Sequence, residues 1–212
     1  MMFYQDVFLS IQGESTDTGL PTIFVRLFGC NVHCIYCDQP QHKKDRKRIS
    51  VDNLLNIIKS FVGVKYVCVT GGEPLLQPEI YAVIYDLVSN DYKVSIETNG
   101  CIPIDPDPYR RSFKYVMDVK CPSSKVADKN IFENLANLHA NDEVKFVVAN
   151  REDYDFALGV LMKYPTMAKV LFSPMFSENK PTIGKDLVNW ILEDKLADVR
   201  VQIQIHKILE VL

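Results

Sequence analysis

The fold of this chain is set by residues 22–37, TIFVRLFGCNVHCIYC, where a strand-like run leads directly into three closely spaced cysteines. β-Branched and aromatic residues dominate the first seven positions, which is typical of a buried strand. Cys30, Cys34 and Cys37 then follow with the spacing CxxxCxxC. The sequence therefore predicts a strand whose carboxyl end opens into a loop that carries three thiols.

Strand-like and helical patterns alternate along the rest of the chain. Further strands are predicted at 66–70, 93–98, 115–119, 143–148, 169–173 and 199–205. Helical spacing of apolar residues appears within 51–58, 80–87, 154–161 and 184–194, and Ser50 is placed to cap the first of these helices. This alternation indicates an α/β fold with a mainly parallel sheet. About six strands are too few for an eight-stranded barrel, so a partial (β/α) barrel or an open doubly wound sheet remains.

Both architectures bind ligands beyond the carboxyl ends of their strands. Five polar or glycine-rich motifs follow predicted strands in this chain, and we expect them to share one rim. They are the segments 29–30, 70–74, 97–100, 118–120 and 173–175.

Composition narrows the class of protein. The chain has 212 residues, a formal net charge of −3, 47% hydrophobic and 10% aromatic residues. These values predict one globular domain over residues 1–212 and argue against a disordered chain. The slightly negative net charge argues against nucleic acid as the main partner. No apolar run reaches the roughly 18 residues of a membrane helix, and residues 1–13 do not resemble a secretory signal, so we expect a cytoplasmic protein without a membrane partner.

The six cysteines divide into a cluster and three dispersed residues. Clustered thiols in a reducing compartment are typical of metal sites rather than disulfides. A structural zinc ion could use the three cysteines with His33 or His42 as a fourth ligand. A 4Fe–4S cluster held by three thiolates would instead leave one iron open for an exchangeable ligand. Cys68, Cys101 and Cys121 lack such spacing, and we expect them to be small packing residues.

The CxxxCxxC loop, together with the Gly-Gly-Glu-Pro turn at 71–74, resembles the radical S-adenosylmethionine (SAM) superfamily. In that superfamily the open iron chelates the amino and carboxyl groups of SAM, and the Gly-Gly-Glu turn binds the same amino group. Gly71 and Gly72 allow close approach of the backbone, and Glu73 can accept hydrogen bonds from an ammonium. Glu73 could alternatively serve as the carboxylate at a helix start before Pro74.

The resemblance extends over nearly the whole chain to the 7-carboxy-7-deazaguanine synthase family. It is carried by Ile-Gln-Gly-Glu at 11–14, Arg26 within its strand, Glu-Thr-Asn-Gly at 97–100 and Gln-Ile-His-Lys at 204–207. It implies a trimmed radical SAM fold and a ring contraction in 7-deazapurine (queuosine) biosynthesis. A 5′-deoxyadenosyl radical from SAM would take hydrogen from C6 of 6-carboxy-5,6,7,8-tetrahydropterin. Rearrangement, return of the hydrogen to regenerate SAM, and loss of ammonia would give 7-carboxy-7-deazaguanine.

The resemblance also implies roles for individual residues, with no catalytic side chain beyond the cluster and the SAM radical. The metal ligands would be Cys30, Cys34 and Cys37 for the 4Fe–4S cluster and Gln39 for Mg²⁺. The SAM-binding residues would be Gly72, Glu73, Gly100, Asp118, Val119, Lys120, Ser173, Pro174, Met175 and Phe176. The substrate-binding residues would be Ile11, Gln12, Gly13, Glu14, Arg26, Thr98, Gln204, His206 and the terminal carboxylate of Leu212. Arg26 suits the pterin carboxylate because guanidinium groups form bidentate, charge-assisted bonds.

Three positions depart from the family pattern. Gln39 stands where the family often has the Thr that helps bind Mg²⁺, although its amide oxygen is also a ligand type for this ion. Asp118-Val119 replaces a frequent Ser-Pro, and Ser15 replaces a Gly. The family also implies a homodimer and an electron donor such as flavodoxin or ferredoxin. Two alternatives stay open: a glycyl-radical enzyme activase of the same superfamily, and a non-enzymatic zinc- or iron-binding α/β module.

Overall fold

The computed structural model describes residues 1–39, 45–106, 112–177 and 180–211. The strands are β1 Met2–Ile11, β2 Pro21–Leu27, β3 Lys47–Ile49, β4 Tyr66–Gly71, β5 Lys93–Thr98, β6 Phe113–Val119, β7 Glu143–Val148, β8 Lys169–Pro174, β9 Phe176–Ser177, β10 Lys180–Pro181 and β11 Val199–Val201. The helices are α1 Val51–Lys59, α2 Ile80–Ser89, α3 Arg151–Lys163, α4 Gly184–Glu193 and α5 Ile205–Ile208. Within the described residues, no helix has the length and apolar character needed to cross a membrane.

The main sheet has nine strands in the described part of the chain, in the order β11-β8-β7-β6-β5-β4-β2-β1-β3. Neighbouring strands from β11 to β2 pair in parallel, whereas β1 pairs antiparallel with β2 and with β3. The prediction of a mainly parallel α/β sheet is therefore confirmed. The two antiparallel strands were not predicted from the sequence. β1 is partly exposed along most of its length, and β3 is a three-residue edge strand with exposed Lys47 and Arg48, so neither shows clean alternation.

The two faces of the parallel strands differ in polarity. One face carries apolar side chains such as Val69, Ile96 and Phe146, which belong to a buried cluster that also includes residues of α1 to α4. Alternation along each strand turns the neighbouring residues to the opposite face. There Thr70 of β4 donates a 2.7 Å hydrogen bond to Glu97 of β5. The helices therefore cover an apolar outer face, and the inner face is polar.

Contacts between distant parts of the sheet show that it is curved. The connection from β1 to β2, residues 12–20, bonds to the segment that follows β11: Ile205 N–H donates to the Gly13 carbonyl at 3.1 Å, and Ser15 N–H donates to the Gln202 side chain at 2.8 Å. Strands stand about 4.8 Å apart, so β2 and β11 would be separated by roughly 30 Å in a flat sheet. The sheet must curl to bring them together, as expected of a partial barrel.

The predicted strand at 199–205 is too long. β11 ends at Val201, and α5 begins at Ile205, so the Gln-Ile-His-Lys motif starts a short helix rather than lying in a strand. The buried side chain of Gln202 accepts its bond from the Ser15 backbone. Gln202 N–H still donates to the Phe172 carbonyl of β8 at 2.9 Å, and the chain leaves the sheet edge after this residue. By contrast, Ser50 caps α1 as predicted, accepting a bond from Asn53 N–H at 3.2 Å.

Candidate active site

The predicted polar motifs lie at one rim of the curved sheet, as expected. Cys30 follows β2, Glu73 follows β4, Asn99 follows β5, Lys120 follows β6 and Met175 follows β8. All five strands run in the same direction. Their carboxyl ends therefore share one edge, and the loops that leave them can combine into one site.

The loop with the three cysteines is linked to the Glu-Thr-Asn-Gly turn. The Asn99 amide donates to Asn31 at 2.8 Å and contacts the Cys30 sulfur at 3.7 Å. Cys30 and Cys34 are partly buried, and Cys37 is exposed. Burial raises the pKa of the Cys34 thiol, while nearby Lys120 favours the thiolate. In the part of the chain that the structure describes, no three Cys, His, Asp or Glu side chains form a ready-made metal-binding group.

Three thiols on one short loop nevertheless suit a soft metal site with one open position. The Gly-Gly-Glu turn packs directly against the start of this loop. Glu73 N–H donates to the Gly29 carbonyl at 2.7 Å, and a Cβ on Gly72 would lie 1.8 Å from the same oxygen. Gly72 is therefore required by the contact between the two loops. For the zinc alternative, His33 is exposed and His42 lies outside the described residues.

Glu73 is fully buried and already has several partners. Its carboxylate accepts bonds from Leu75 N–H at 3.0 Å, Thr98 Oγ1 at 2.8 Å and Asn99 N–H at 2.7 Å. Burial raises the pKa of Glu73, and these hydrogen bonds act in the opposite direction. Glu73 thus caps the short 3-10 helix Pro74–Leu76, as considered from the sequence, and Thr98 also contacts it. An ionised carboxylate has about four acceptor positions, so one remains for an ammonium.

The loop at 12–20 carries the predicted substrate residues into the curve of the sheet. Ile11 is the last residue of β1, and Gln12 donates to Glu97 at 3.4 Å while accepting from Glu14 N–H at 3.1 Å. Gly13 has no room for a side chain, because a Cβ would lie 1.9 Å from Nδ1 of His206. His206 thus packs against the Ile-Gln-Gly-Glu motif as its neighbour in space. Leu212 lies outside the described residues.

Glu14 is the most strongly held carboxylate of this loop. It pairs with Lys145 of β7 and accepts a hydrogen bond from the side-chain amide of Gln204. Burial alone would raise the pKa of Glu14, but Lys145 and these hydrogen bonds lower it to about 2. The carboxylate is therefore ionised, and an acceptor of hydrogen bonds, at any working pH.

Arg26 lies on β2, and its guanidinium is not fully paired. Its Nε is buried without a hydrogen-bond partner among the described residues, and its Cζ lies 5.3 Å from the centre of the Phe8 ring. An unsatisfied buried donor costs about 1–3 kcal/mol. Such a donor indicates a place where a ligand supplies the missing acceptor.

The remaining predicted SAM residues are brought to the same rim with different exposures. Gly100 adopts a φ of +70°, and a Cβ there would lie 3.2 Å from the Asp118 carbonyl. Val119 packs into the core, so its backbone rather than its side chain can reach a ligand. Lys120 pairs with Asp118 at 2.9 Å, and one oxygen of Asp118, Oδ1, is buried without a partner among the described residues.

The segment after β8 and the residue after the cysteines complete the predicted set. Ser173 and Pro174 are buried at the end of β8, and Met175 N–H donates to the Val148 carbonyl at 2.8 Å. Phe176 begins the two-residue strand β9. Gln39 is partly buried. Burial raises the pKa of the Cys37 thiol, and a hydrogen bond from the Gln39 backbone acts in the opposite direction.

Four residues of the site were not among the predicted ligand contacts, although two of them, Glu97 and Asn99, belong to the predicted rim motif at 97–100. Lys145 contacts both Glu14 and Asp118, Asn99 contacts the cysteine loop, and Glu97 and Gln202 hold the loop at 12–20. A signal existed for Lys145, because it interrupts the apolar residues of 144–148. Charged residues inside buried strands are uncommon unless they are paired.

Comparisons with known proteins agree with this geometry. Residues 25–119 match the family model described as Radical SAM superfamily. The chain is 38% identical to 7-carboxy-7-deazaguanine synthase of Koribacter versatilis, over 95% of this chain and 94% of that protein. It is 39% identical to the synthase of Methanospirillum hungatei, over 95% and 82%, and 36% identical to that of Thermoplasma acidophilum, over 98% and 97%.

A solved structure shares the fold. The crystal structure of QueE from Escherichia coli superposes with a TM-score of 0.70 at 21% identity, covering 96% of this chain and 93% of that one. A likeness at this level of identity supports the curved, mainly parallel sheet described above.

Proposed function

Since the chain belongs to the 7-carboxy-7-deazaguanine synthase family of radical SAM enzymes, we propose that it converts 6-carboxy-5,6,7,8-tetrahydropterin into 7-carboxy-7-deazaguanine and ammonia. One observation carries the assignment most directly. The Nε of Arg26, which is buried without a hydrogen-bond partner among the described residues, and the ionised carboxylate of Glu14 give the polar interior one group for an anion and one for N–H donors. A pterin carboxylate and the amino-pyrimidinone edge of the same molecule match these two groups.

Cys30, Cys34 and Cys37 would hold the 4Fe–4S cluster, and Glu73 would offer its remaining acceptor position to the amino group of SAM. When bound, the cluster and SAM supply the 5′-deoxyadenosyl radical that takes hydrogen from the substrate. The protein contributes position and exclusion of water. The Gly72 contact fixes the amino-group site against the cysteine loop, so that both halves of the SAM site keep a constant geometry.

The substrate would lie on the polar inner face. Arg26 would pair with the pterin carboxylate through two parallel bonds. Gln12 and Glu14 would bind the opposite edge of the pterin. Glu14 would accept hydrogen bonds from the ring N–H and amino groups. Thr98, Gln204 and His206 would close around it.

We further propose a single domain, a Mg²⁺ ligand, an electron donor and a cytoplasmic location. A single domain is supported by the nine-stranded sheet, which draws strands from Met2 to Val201. Gln39 would contribute an oxygen ligand to a Mg²⁺ ion that keeps several waters. A flavodoxin or ferredoxin would deliver electrons to the cluster. Free thiols at all six cysteines suit the reducing cytoplasm.

A homodimer would use the sheet edge at β11. Among the described residues that strand pairs only with β8, and the chain beyond it exposes Ile203, Ile208 and Leu209 by 42%, 54% and 57%. Apolar side chains beside an unpaired sheet edge favour association with a second copy.

The decisive experiment follows the reaction under strictly anaerobic conditions. The purified protein is reconstituted with iron and sulfide and then given dithionite, SAM and the carboxytetrahydropterin. We expect a deazaguanine product without stoichiometric consumption of SAM. Cleavage of SAM without conversion of the pterin would favour the glycyl-radical activase. Absence of iron–sulfur absorbance after reconstitution would favour the non-enzymatic metal-binding module.

A further inference from the structure

Inside the curved sheet, four charged side chains of alternating sign form a connected row: Glu14, Lys145, Asp118 and Lys120. The Lys145 ammonium pairs with Glu14 on one side and lies 3.8 Å from Asp118 on the other. Lys120 then pairs with the same oxygen of Asp118 at 2.9 Å. The row therefore runs from the proposed substrate residues to the proposed SAM residues, with Lys145 between them.

All four side chains are largely withdrawn from water. The exposed fraction is 12% for Lys145, 13% for Glu14, 18% for Asp118 and 11% for Lys120. Ion pairs at such sites are screened much less than surface pairs. Removing one partner leaves the other as an uncompensated buried charge. The charge of Glu14 thus depends on Lys145.

No other cation at hydrogen-bond distance can replace Lys145 among the described residues. From the segment after β11, Glu14 accepts hydrogen bonds from the side-chain amides of Gln204 and, at 3.4 Å, of Gln202. Both amides are neutral. His206 also faces Glu14, but burial lowers the pKa of its imidazole. Lys145 itself faces Glu14, Asp118 and Glu97, which keep it protonated against the effect of burial.

We propose that Lys145 is a positioning residue for substrate: it holds the Glu14 carboxylate ionised and fixed, so that Glu14 can accept hydrogen bonds from the N–H edge of the pterin. The inference rests on the proposed function. Without Lys145, buried Glu14 would take up a proton. Its carboxyl group would then carry an O–H donor, and this donor would face the N–H donors of the substrate.

Replacement of Lys145 should leave the fold in place. Its neighbours Val144 and Phe146 are fully buried on the opposite face of β7, and the sheet hydrogen bonds do not involve its side chain. Lys145→Met keeps the length of the side chain and removes the charge. Lys145→Arg keeps the charge. Lys59→Met is a control for the loss of a lysine charge away from the site, since Lys59 of α1 pairs with Asp86 of α2 at 2.6 Å.

The test is the substrate Kd of the reconstituted enzyme with SAM, measured anaerobically by calorimetry from mildly acidic to alkaline pH. For the wild type we expect a Kd that does not change through the titration range of an ordinary glutamate. Lys145→Met should bind about tenfold more weakly at neutral pH, and the loss should shrink as pH rises and Glu14 ionises. Lys145→Arg should restore most of the affinity, and Lys59→Met should keep the wild-type pH profile.

Two results would overturn the inference: an unchanged Kd in Lys145→Met, or a loss of affinity that is equal at every pH. If Lys145→Met does not fold, Lys145→Gln undergoes the same titration with the same two outcomes. Failure of the proposed function is distinguishable, because the wild-type enzyme would then neither bind nor convert the pterin.

Discussion

At the scale of single residues, the site depends on buried polar groups that have incomplete partners within the protein. Arg26 Nε and Asp118 Oδ1 are buried without hydrogen-bond partners among the described residues. Folded proteins pair nearly all such groups, so the exceptions call for a physical explanation. A carboxylate of the substrate at Arg26 and a donor group of SAM at Asp118 would satisfy the two groups.

Arg26→Ala tests the first of these groups. Loss of a charge-assisted bond typically costs about 1.5–3 kcal/mol, so we expect the substrate Kd to rise by about tenfold or more. The absorbance spectrum of the reconstituted cluster should stay unchanged, because Arg26 does not lie on the cysteine loop. Loss of the cluster in Arg26→Ala would contradict the proposed role and assign Arg26 a structural one.

Glu14 links the site to stability at acid pH. Its folded-state pKa of about 2 lies below the ordinary value of 4.5, so ionised Glu14 stabilises the fold fully above the ordinary pKa. That contribution is lost as pH falls from 4.5 towards 2, because protonation breaks the pair with Lys145. Between neutral and acid pH, we expect the free energy of unfolding to fall by about 1–3 kcal/mol less in Glu14→Gln than in the wild type. Denaturant unfolding of both proteins at neutral and acid pH measures it, and parallel curves would refute the pairing.

At the scale of elements, the alternating strands and the rim motifs could be predicted from local pattern. The burial period of the parallel strands and the Ser50 cap are short-range signals. β1 and β3 lack such a period because they lie at or near the sheet edge, partly in water. The strand predicted through Ile205 is too long because the chain leaves β8 after Gln202, whose side chain binds the distant Ser15 backbone, and then forms α5. Residues such as Lys145 and Gln202 become site residues only through tertiary contacts of this kind.

Gly72→Ala tests the contact between the Gly-Gly-Glu turn and the cysteine loop. A Cβ 1.8 Å from the Gly29 carbonyl must push the two loops apart. We expect a loss of about 1–3 kcal/mol in the free energy of unfolding and weaker SAM binding. Denaturant unfolding and SAM titration of the reconstituted protein measure the two effects.

Gly159→Ala is the matched control for that substitution. Gly159 lies exposed within α3, and its added Cβ would meet nothing within 4 Å. Because alanine favours the helix, this variant should gain about 0.5–1 kcal/mol and bind SAM normally. Equal effects of the two substitutions would mean that the loops do not depend on their close contact.

At the scale of the whole molecule, ligands of the rim should stabilise the entire fold, because five strands contribute loops to one site. A ligand that binds only the folded state at a hundred times its Kd adds about 2.7 kcal/mol. We therefore expect SAM to raise the Tm of the anaerobically reconstituted protein. Cys34→Ala should abolish the rise by removing a cluster ligand, while a rise that persists in this variant would place SAM elsewhere.

The bonds that join the loop at 12–20 to the segment after β11 have a consequence for how the molecule assembles. The Ser15–Gln202 and Glu14–Gln204 bonds connect residues 187 and 190 positions apart in the chain. Contacts between residues so far apart in sequence require a large loss of chain entropy before they form, and they slow folding. During synthesis the loop at 12–20 leaves the ribosome long before the segment after β11. We therefore expect the substrate pocket to be completed late in folding, and a chain whose sheet is already paired should stay inactive until these two segments meet.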